Sequence, residues 1–395
     1  MYAPPHPPQL SNSNGGTAVA DIPSLRAYQV WKGSNRFCCG GRIIFGPDAR
    51  SLYLTISLIL VPVFLFCASL SQTLIRELHH HMGHLIVAVC AFFTVYTITL
   101  LLLTSGRDPG IIPRNQQPPG LEDEAGASTV SSNWPSSLGR APSIPPTKDV
   151  KINGITIKVK YCQTCMLYRP PRCSHCSICN NCVDRFDHHC PWVGQCIGKR
   201  NYRLFFMFIS STTLLCLYVF VFSIVNLSKI MGAYHCSLGR ALAMSPVSGI
   251  LILYTFLLSW FVGGLTGFHL YLILTNQTTY ENFRYRYDRR MNPYNRGCAG
   301  NALEIFCSRI PPSRNNFREK VKVYPDEVFN KSVSYRHAMS PGLSKIRLDL
   351  EMGNRQAYAA EEFVDVPNQL EGIGEHERCG TQTPRMAWDQ LGYQP

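Results

Sequence analysis

Cys162-Gln-Thr-Cys165, then Arg172-Cys173-Ser-His175-Cys176-Ser-Ile-Cys179-Asn-Asn-Cys182, then Asp187-His188-His189-Cys190-Pro191-Trp192, closing on Cys196, is the segment around which the rest of the chain is organised. Eight of the chain's seventeen cysteines and three of its twelve histidines fall inside it. A Cys-x-x-Cys pair suits zinc because a tight turn sets two thiolates at neighbouring corners of a tetrahedron, and each metal needs four nitrogen or sulfur ligands. Eight of these eleven side chains fill two such sites and three are spare; spacing leaves open which three. The run Asp187-His188-His189-Cys190 is the sharpest candidate for chemistry, since a carboxylate, an imidazole and a thiol can serve as orienter, base and nucleophile.

Outward from this stretch the composition splits into apolar and polar blocks. Residues 51–74, 85–104 and 204–228 carry no charged side chain, and 241–280 is also charge-free, most apolar near 247–274. About twenty apolar residues span a bilayer. The expected fold class is therefore an α-helical membrane protein: four transmembrane helices with a two-zinc, cysteine-rich domain between the second and third spans. The first fifty residues lack an apolar core, so no cleavable signal peptide is expected.

Cations orient the chain. Arg26, Lys32, Arg36, Arg42 and Arg50 precede the first span, Lys199, Arg200 and Arg203 precede the third, and Arg284, Arg286, Arg289, Arg290 and Arg296 follow the fourth. The connections near 75–84 and 229–245 hold only Arg76, Lys229 and Arg240. The positive-inside bias places both termini and the cysteine-rich domain in the cytosol, where thiolates stay reduced and metal-bound. The formal charge of +13 reads as attraction to anionic lipid, not to nucleic acid.

The stretch resembles the cysteine-rich domain of DHHC-type protein S-acyltransferases, zinc-dependent membrane palmitoyltransferases. The match covers 162–203, including Cys190-Pro191-Trp192-Val193, Gly198 and Asn201-Tyr202. Asp108-Pro109-Gly110 is similar to the family's DPG element, Thr278-Thr279-Tyr280-Glu281 to its TTxE motif, and Asn292-Pro293-Tyr294 to Asn301 and Phe306 to its C-terminal element. Ala302 departs from that element, where many members carry tryptophan. Tyr28-Gln-Val-Trp31-Lys-Gly-Ser34 and Phe45-Gly-Pro47-Asp48 resemble plant members, which implies residence in the plasma membrane or Golgi.

The resemblance implies one zinc on Cys162, Cys165, His175 and Cys182 and a second on Cys176, Cys179, His189 and Cys196. It leaves Cys173 without a role and frees His188 and Cys190, so that Asp187, His188 and Cys190 form the catalytic set. One threonine of the TTxE motif is implied to meet the DHHC aspartate, and Asn301 to be structural. The implied activity moves a long-chain acyl group from acyl-CoA, palmitoyl-CoA foremost, through a Cys190 thioester to membrane-proximal cysteines of protein substrates. Arg185, Lys199 and Arg200 are candidates for the CoA phosphates. An inactive zinc-stabilised membrane scaffold is the alternative; a transporter is suggested only by the span count.

The chain then divides into a cytosolic N-terminal arm (1–50), spans 1 and 2 (51–104), the DPG element and a flexible linker (105–149), the zinc domain (150–203), spans 3 and 4 (204–275), the TTxE and C-terminal elements (276–310) and a disordered tail (311–395). Val150 to Val159 alternates apolar and polar residues around Asn153-Gly154, a hairpin signal. Phe186, Trp192 and Val193 are expected at the membrane interface. Gly263, Gly264 and Gly267 read as a close helix contact or as room for an acyl chain. Histidines 79–81 and 84 read as a polar interfacial turn, and Cys38-Cys39 as candidates for acylation.

Overall fold

The computed structural model describes residues 24–70, 80–116, 145–288 and 290–322. Most of the linker and the tail, His79 and the side chain of His80 lie outside the described residues, as does any structural reading of them. Trp31–Arg318 forms one compact unit, and the described residues flanking it form another. In the smaller unit β1 (Ser24–Arg26) pairs antiparallel with β11 (Lys320–Lys322), Ser24 opposite Lys322; in the larger, β2 (Arg36–Cys38) pairs antiparallel with β3 (Ile43–Phe45) ahead of the first long helix.

Four helices of the larger unit are long and apolar enough to cross a membrane, as the charge-free blocks predict. They are α1 (Ser51–Leu65, extended by a π turn, Phe66–Leu70), α2 (His80–Ser105), α3 (Tyr202–Tyr234) and α5 (Pro246–Leu274). The third runs past the expected 228 because nothing breaks it before His235, which caps it in the left-handed region at φ 46°. A short α4 (Leu238–Met244) follows, with Ala241 packed on Leu227 and Ile230 of α3. Helix α3 is the centre of the bundle, lying against both α2 and α5. Phe66, Leu101, Phe205, Phe208, Leu215 and Leu251 are buried between helices, while Phe64, Phe92, Trp260 and Phe261 point outward. Helices apolar on both faces suit lipid, not water.

Some polar groups inside the bundle are matched across helices, while the hydroxyls of Thr97, Ser210 and Ser259 are buried without a partner among the described residues. Pro62 cannot donate to the carbonyl of Leu58, and the Tyr254 hydroxyl of α5 donates to that oxygen instead at 2.8 Å. Thr213 and Thr266 share a hydrogen bond at 3.0 Å across α3 and α5. Of the two readings of the glycine spacing on α5, close contact holds at one position only. A Cβ on Gly263 would come 3.6 Å from Thr213, but Gly264 and Gly267 have open space beside them, so the spacing marks no continuous contact seam.

The cysteine-rich segment has no helix, only short hairpins. β4 (Thr147–Ile152) and β5 (Ile155–Cys162) meet across Asn153 and Gly154, both at positive φ as a two-residue turn requires, and β5 continues onto β6 (Leu167–Tyr168). β7 (Ser174–Cys176) pairs with β8 (Asn181–Val183), and β9 (His188–Cys190) with β10 (Gln195–Ile197). After α2, Asp108 takes the backbone N–H of Gly110 (2.9 Å) and Ile111 (2.8 Å) on one carboxylate oxygen, and Ile111 bridges to Val183. The DPG turn thus hands the chain from membrane helix to metal domain.

Candidate active site

Strand geometry sorts the site residues. Successive side chains of a strand point to opposite faces, so on β7 His175 goes to one cluster and Cys176 to the other. On β9, His189 goes to the second cluster, while His188 and Cys190 share the opposite face. Each hairpin also sets a histidine across from a cysteine: His175 opposite Cys182, and His189 opposite Cys196. The Cys-x-x-Cys pairs complete the sets, each followed by a residue at φ 53°, Met166 and Asn180, that turns the chain back.

Two clusters result, Cys162–Cys165–His175–Cys182 and Cys176–Cys179–His189–Cys196, with donor atoms in each group within 4.8 Å of one another. The Nδ1 of His175 lies 3.6, 3.5 and 3.8 Å from its three sulfurs. For His189 the separations are 3.8, 3.4 and 3.6 Å. Zinc–sulfur and zinc–nitrogen bonds at a tetrahedral angle put sulfur and nitrogen about 3.6 Å apart. Both donor sets therefore fit zinc. Cys173 packs beside the first cluster without joining it.

On the other face of β9, His188 Nδ1 lies 2.6 Å from Asp187 Oδ2. Asp187 is fully buried, and Thr279 donates to it twice, from its backbone N–H (2.9 Å) and its hydroxyl (2.8 Å). Burial alone would raise the Asp187 carboxyl, but hydrogen bonds from His188 and Thr279 and the charge of nearby histidines hold it below the ordinary value. Burial likewise opposes charge on His188; hydrogen bonds to Asp187 and Cys190 outweigh it and hold the imidazole up at about 9. Removing the anion should leave burial in command. If His188 acts as a base in its neutral form, Asp187→Asn is expected to move the acid limb of the site's pH–rate profile from near pH 9 to lower pH, and the weaker, unsteadied base to lose about 10²–10⁴-fold in rate on the plateau. A pH–rate profile of both proteins checks this, and an unmoved acid limb would contradict it.

Helices α3 and α5 add what the sequence did not reveal. His269, inside α5, has its Nδ1 3.1 Å from the Tyr202 hydroxyl. Its ring lies 5.8 Å from that of His188, and Phe205 stands edge-on to both at 5.0 and 5.2 Å. The catalytic-type imidazole is thus wedged between an aromatic ring and a second histidine. Periodicity carried no signal for this, because a lone histidine in a span is also satisfied by any hydroxyl partner.

Cys190 and Trp192 also stand at one end of an apolar cavity. Its walls come from α1 (Leu58, Ile59, Pro62), α3 (Phe208, Thr212, Val219) and α5 (Thr255, Leu258, Val262). Of the three side chains expected at the membrane interface, Trp192 is 46 % exposed, but Val193 is buried in the bundle core and Phe186 turns inward to stack edge-on against Tyr280 at 5.6 Å. Phe186 goes inward because the TTxE turn covers it.

The candidate CoA contacts divide. Arg185 donates to Asn276 (3.0 Å) and pairs with Glu304 (3.6 Å); Arg200 is held by the Asp108 carboxylate (2.9 Å) and the carbonyls of Asp108 and Pro311. Lys199 keeps a 47 % exposed side chain, 3.9 Å from Asp184. In the TTxE turn Thr278 and Glu281 form a reciprocal capping box on α6 (Thr279–Asn282), and Glu281 accepts a two-pronged bond from Arg172. Asn301 on α7 (Cys298–Phe306) is buried and ties the N–H of Arg296 to the carbonyl of Leu274.

A family model described as DHHC palmitoyltransferase matches residues 155–286. Among curated proteins, Probable protein S-acyltransferase 7 of Arabidopsis thaliana is 56 % identical over 361 residues, 91 % of this chain and 78 % of that protein. Protein S-acyltransferase 8 of the same plant is 51 % identical over 383 residues, 92 % of each chain. Two likenesses of that depth, running far beyond the cysteine-rich stretch into all four membrane helices, leave one conclusion: this multi-pass membrane protein belongs to the DHHC palmitoyltransferase family of acyltransferases, among its plant members.

Proposed function

We propose that this chain transfers a long-chain acyl group, palmitoyl foremost, from acyl-CoA to cysteines of proteins at the cytosolic face of its membrane, through a thioester on Cys190. One observation carries the reading: the Cys190 thiol shares a strand face with the Asp187-buttressed His188 and at the same time stands at the mouth of an apolar cavity running between membrane helices. Chemistry and a lipid-shaped space meet at one sulfur.

In the first half-reaction the Cys190 thiol gives its proton to the His188 nitrogen that faces it, and Asp187 steadies the resulting imidazolium. The thiolate sulfur bonds to the acyl carbonyl carbon, the carbon–sulfur bond to CoA breaks, and the CoA sulfur takes the proton from His188. In the second, His188 accepts the proton of a substrate thiol, whose sulfur takes the acyl carbon; the Cys190 sulfur leaves and is reprotonated. Cys162, Cys165, His175 and Cys182 would hold one zinc, and Cys176, Cys179, His189 and Cys196 the other. Bound there, zinc supplies the folding energy that a segment without an apolar core lacks. Lys199, with its exposed ammonium, is the candidate for the CoA phosphates, while Arg185 and Arg200 brace the TTxE and DPG turns. Plant-type resemblance favours the plasma membrane or Golgi.

The test is purified protein incubated with alkyne-tagged palmitoyl-CoA and then a cysteine-bearing acceptor. A hydroxylamine-labile label that appears first on the protein and then on the acceptor is expected; wild-type protein that never labels would overturn the reading in favour of a scaffold. The cavity adds a second expectation. Val219 lies fourteen residues beyond Phe205 on α3, about 21 Å along the axis. A Val219→Trp side chain should therefore block the far end and shift preference from sixteen-carbon toward shorter acyl-CoA in a competition assay, and an unchanged chain-length profile would contradict this path for the chain.

A further inference from the structure

His189 is held from both sides. Its Nδ1 faces the sulfurs of Cys176, Cys179 and Cys196, and its Nε2 lies 3.0 Å from Asp48 Oδ2. The two metal clusters differ here. No carboxylate lies against the Nε2 of His175 among the described residues, although its Nδ1 faces three sulfurs in the same way.

Asp48 sits just before α1, and that helix begins on it: the backbone N–H of Ser51 donates to the Asp48 carbonyl at 2.9 Å and its hydroxyl at 2.8 Å. The backbone around Asp48 also touches the turn that follows Cys190. A Cβ on Gly194, which stands at φ 68°, would come 2.7 Å from the Asp48 carbonyl oxygen, and a Cβ on Gly46 would come 2.2 Å from that of Gly194. Only glycine allows this approach. Two more bonds cross nearby, from Ser51 to the Pro191 carbonyl and from Thr55 to the Trp192 carbonyl at 2.8 Å.

We propose that Asp48 is the outer-sphere carboxylate of the second metal site: it keeps the proton of the His189 ring on Nε2, leaves the Nδ1 lone pair for the metal, and so joins α1 to the strand that carries Cys190. An imidazole that binds a metal through one nitrogen must carry its proton on the other, and a carboxylate hydrogen-bonded to that N–H fixes the tautomer and the ring plane and strengthens the donor. The inference rests on the zinc reading above. It also makes Asp48 a positioning residue for the adjacent pair His188 and Cys190, which it does not touch.

The experiment measures zinc on the full-length protein in detergent, by metal content and by release to a chromogenic chelator, for wild type, Asp48→Asn and Asp48→Ala. Wild type should hold two zincs. In Asp48→Ala one zinc is expected to leave about 10–100-fold faster while the other keeps its wild-type rate; Asp48→Asn, which retains an oxygen acceptor but no charge, should fall between. In a Cys176→Ser background the remaining zinc should be indifferent to Asp48. Two unchanged release rates, or two rates raised equally as a general loosening would give, overturn the role of Asp48 and leave the zinc reading standing. A wild-type protein without zinc removes both.

Discussion

Cys190→Ser is expected to lose the hydroxylamine-labile acyl label completely while keeping two zinc ions per chain. The two halves of this outcome come from opposite faces of one strand. His189 turns toward the sulfurs of the second cluster, whereas Cys190 turns toward His188 and the cavity, so removing its sulfur subtracts nothing from either ligand set. Serine keeps the size of the side chain and a polar atom for His188. An alkoxide is far harder to form than a thiolate, so the first half-reaction has no nucleophile. Labelling and metal content on the same preparation read both halves. A variant that lost zinc would make Cys190 a ligand; one that labelled like wild type would place the acyl carrier elsewhere.

The second large effect concerns Arg172, whose side chain bonds to the TTxE turn and its surroundings and not to His188 or Cys190. Its guanidinium donates to Glu281 through Nε (3.0 Å) and Nη2 (2.7 Å), to the Asn276 side chain (2.8 Å) and carbonyl (3.0 Å), and stacks over Tyr294 at 4.4 Å. Both charged side chains are almost wholly buried. Breaking such a pair from one side strands a charge in a dry place and costs about 3–5 kcal/mol. Arg172→Met and Glu281→Met are each expected to destabilise the folded protein by that amount, and the double variant by clearly less, because it removes both charges together. Thermal inactivation of the three variants in one detergent measures this; additive losses would contradict the pairing. Activity should fall with the singles, since Glu281 and the Asp187-holding Thr279 belong to the same short turn.

Much of this was legible in the chain. Apolar length gave the four spans; the partition of β9 into a metal face and a reactive face came only through the family resemblance, because the segment carries no strand signal, and the hairpin explains it once seen. The DPG and TTxE elements were recognisable by their resemblance to family motifs, and each proves to be a local turn whose side chains satisfy their own backbone: Asp108 holds Gly110 and Ile111, and Thr278 and Glu281 cap each other. What stayed hidden were bonds between residues far apart in sequence. Asp48 meets His189 across 141 positions and Arg172 meets Glu281 across 109. A pattern search treats each of these charges as a solvated surface group. The α5 glycines left two readings open and the inward turn of Phe186 misled for a related reason: their composition fits more than one neighbour, and only the packing says which neighbour is present.

The bonds from Ser51 and Thr55 to the carbonyls of Pro191 and Trp192 join the first turns of a membrane helix to the residues directly after Cys190. A helix embedded in lipid has a fixed altitude, and through these two bonds the sulfur inherits it. The level of that sulfur is then set by α1 and not by the metal hairpins alone: a shift of the helix along its axis would carry the Pro191–Trp192 turn, and the thiol before it, by the same distance.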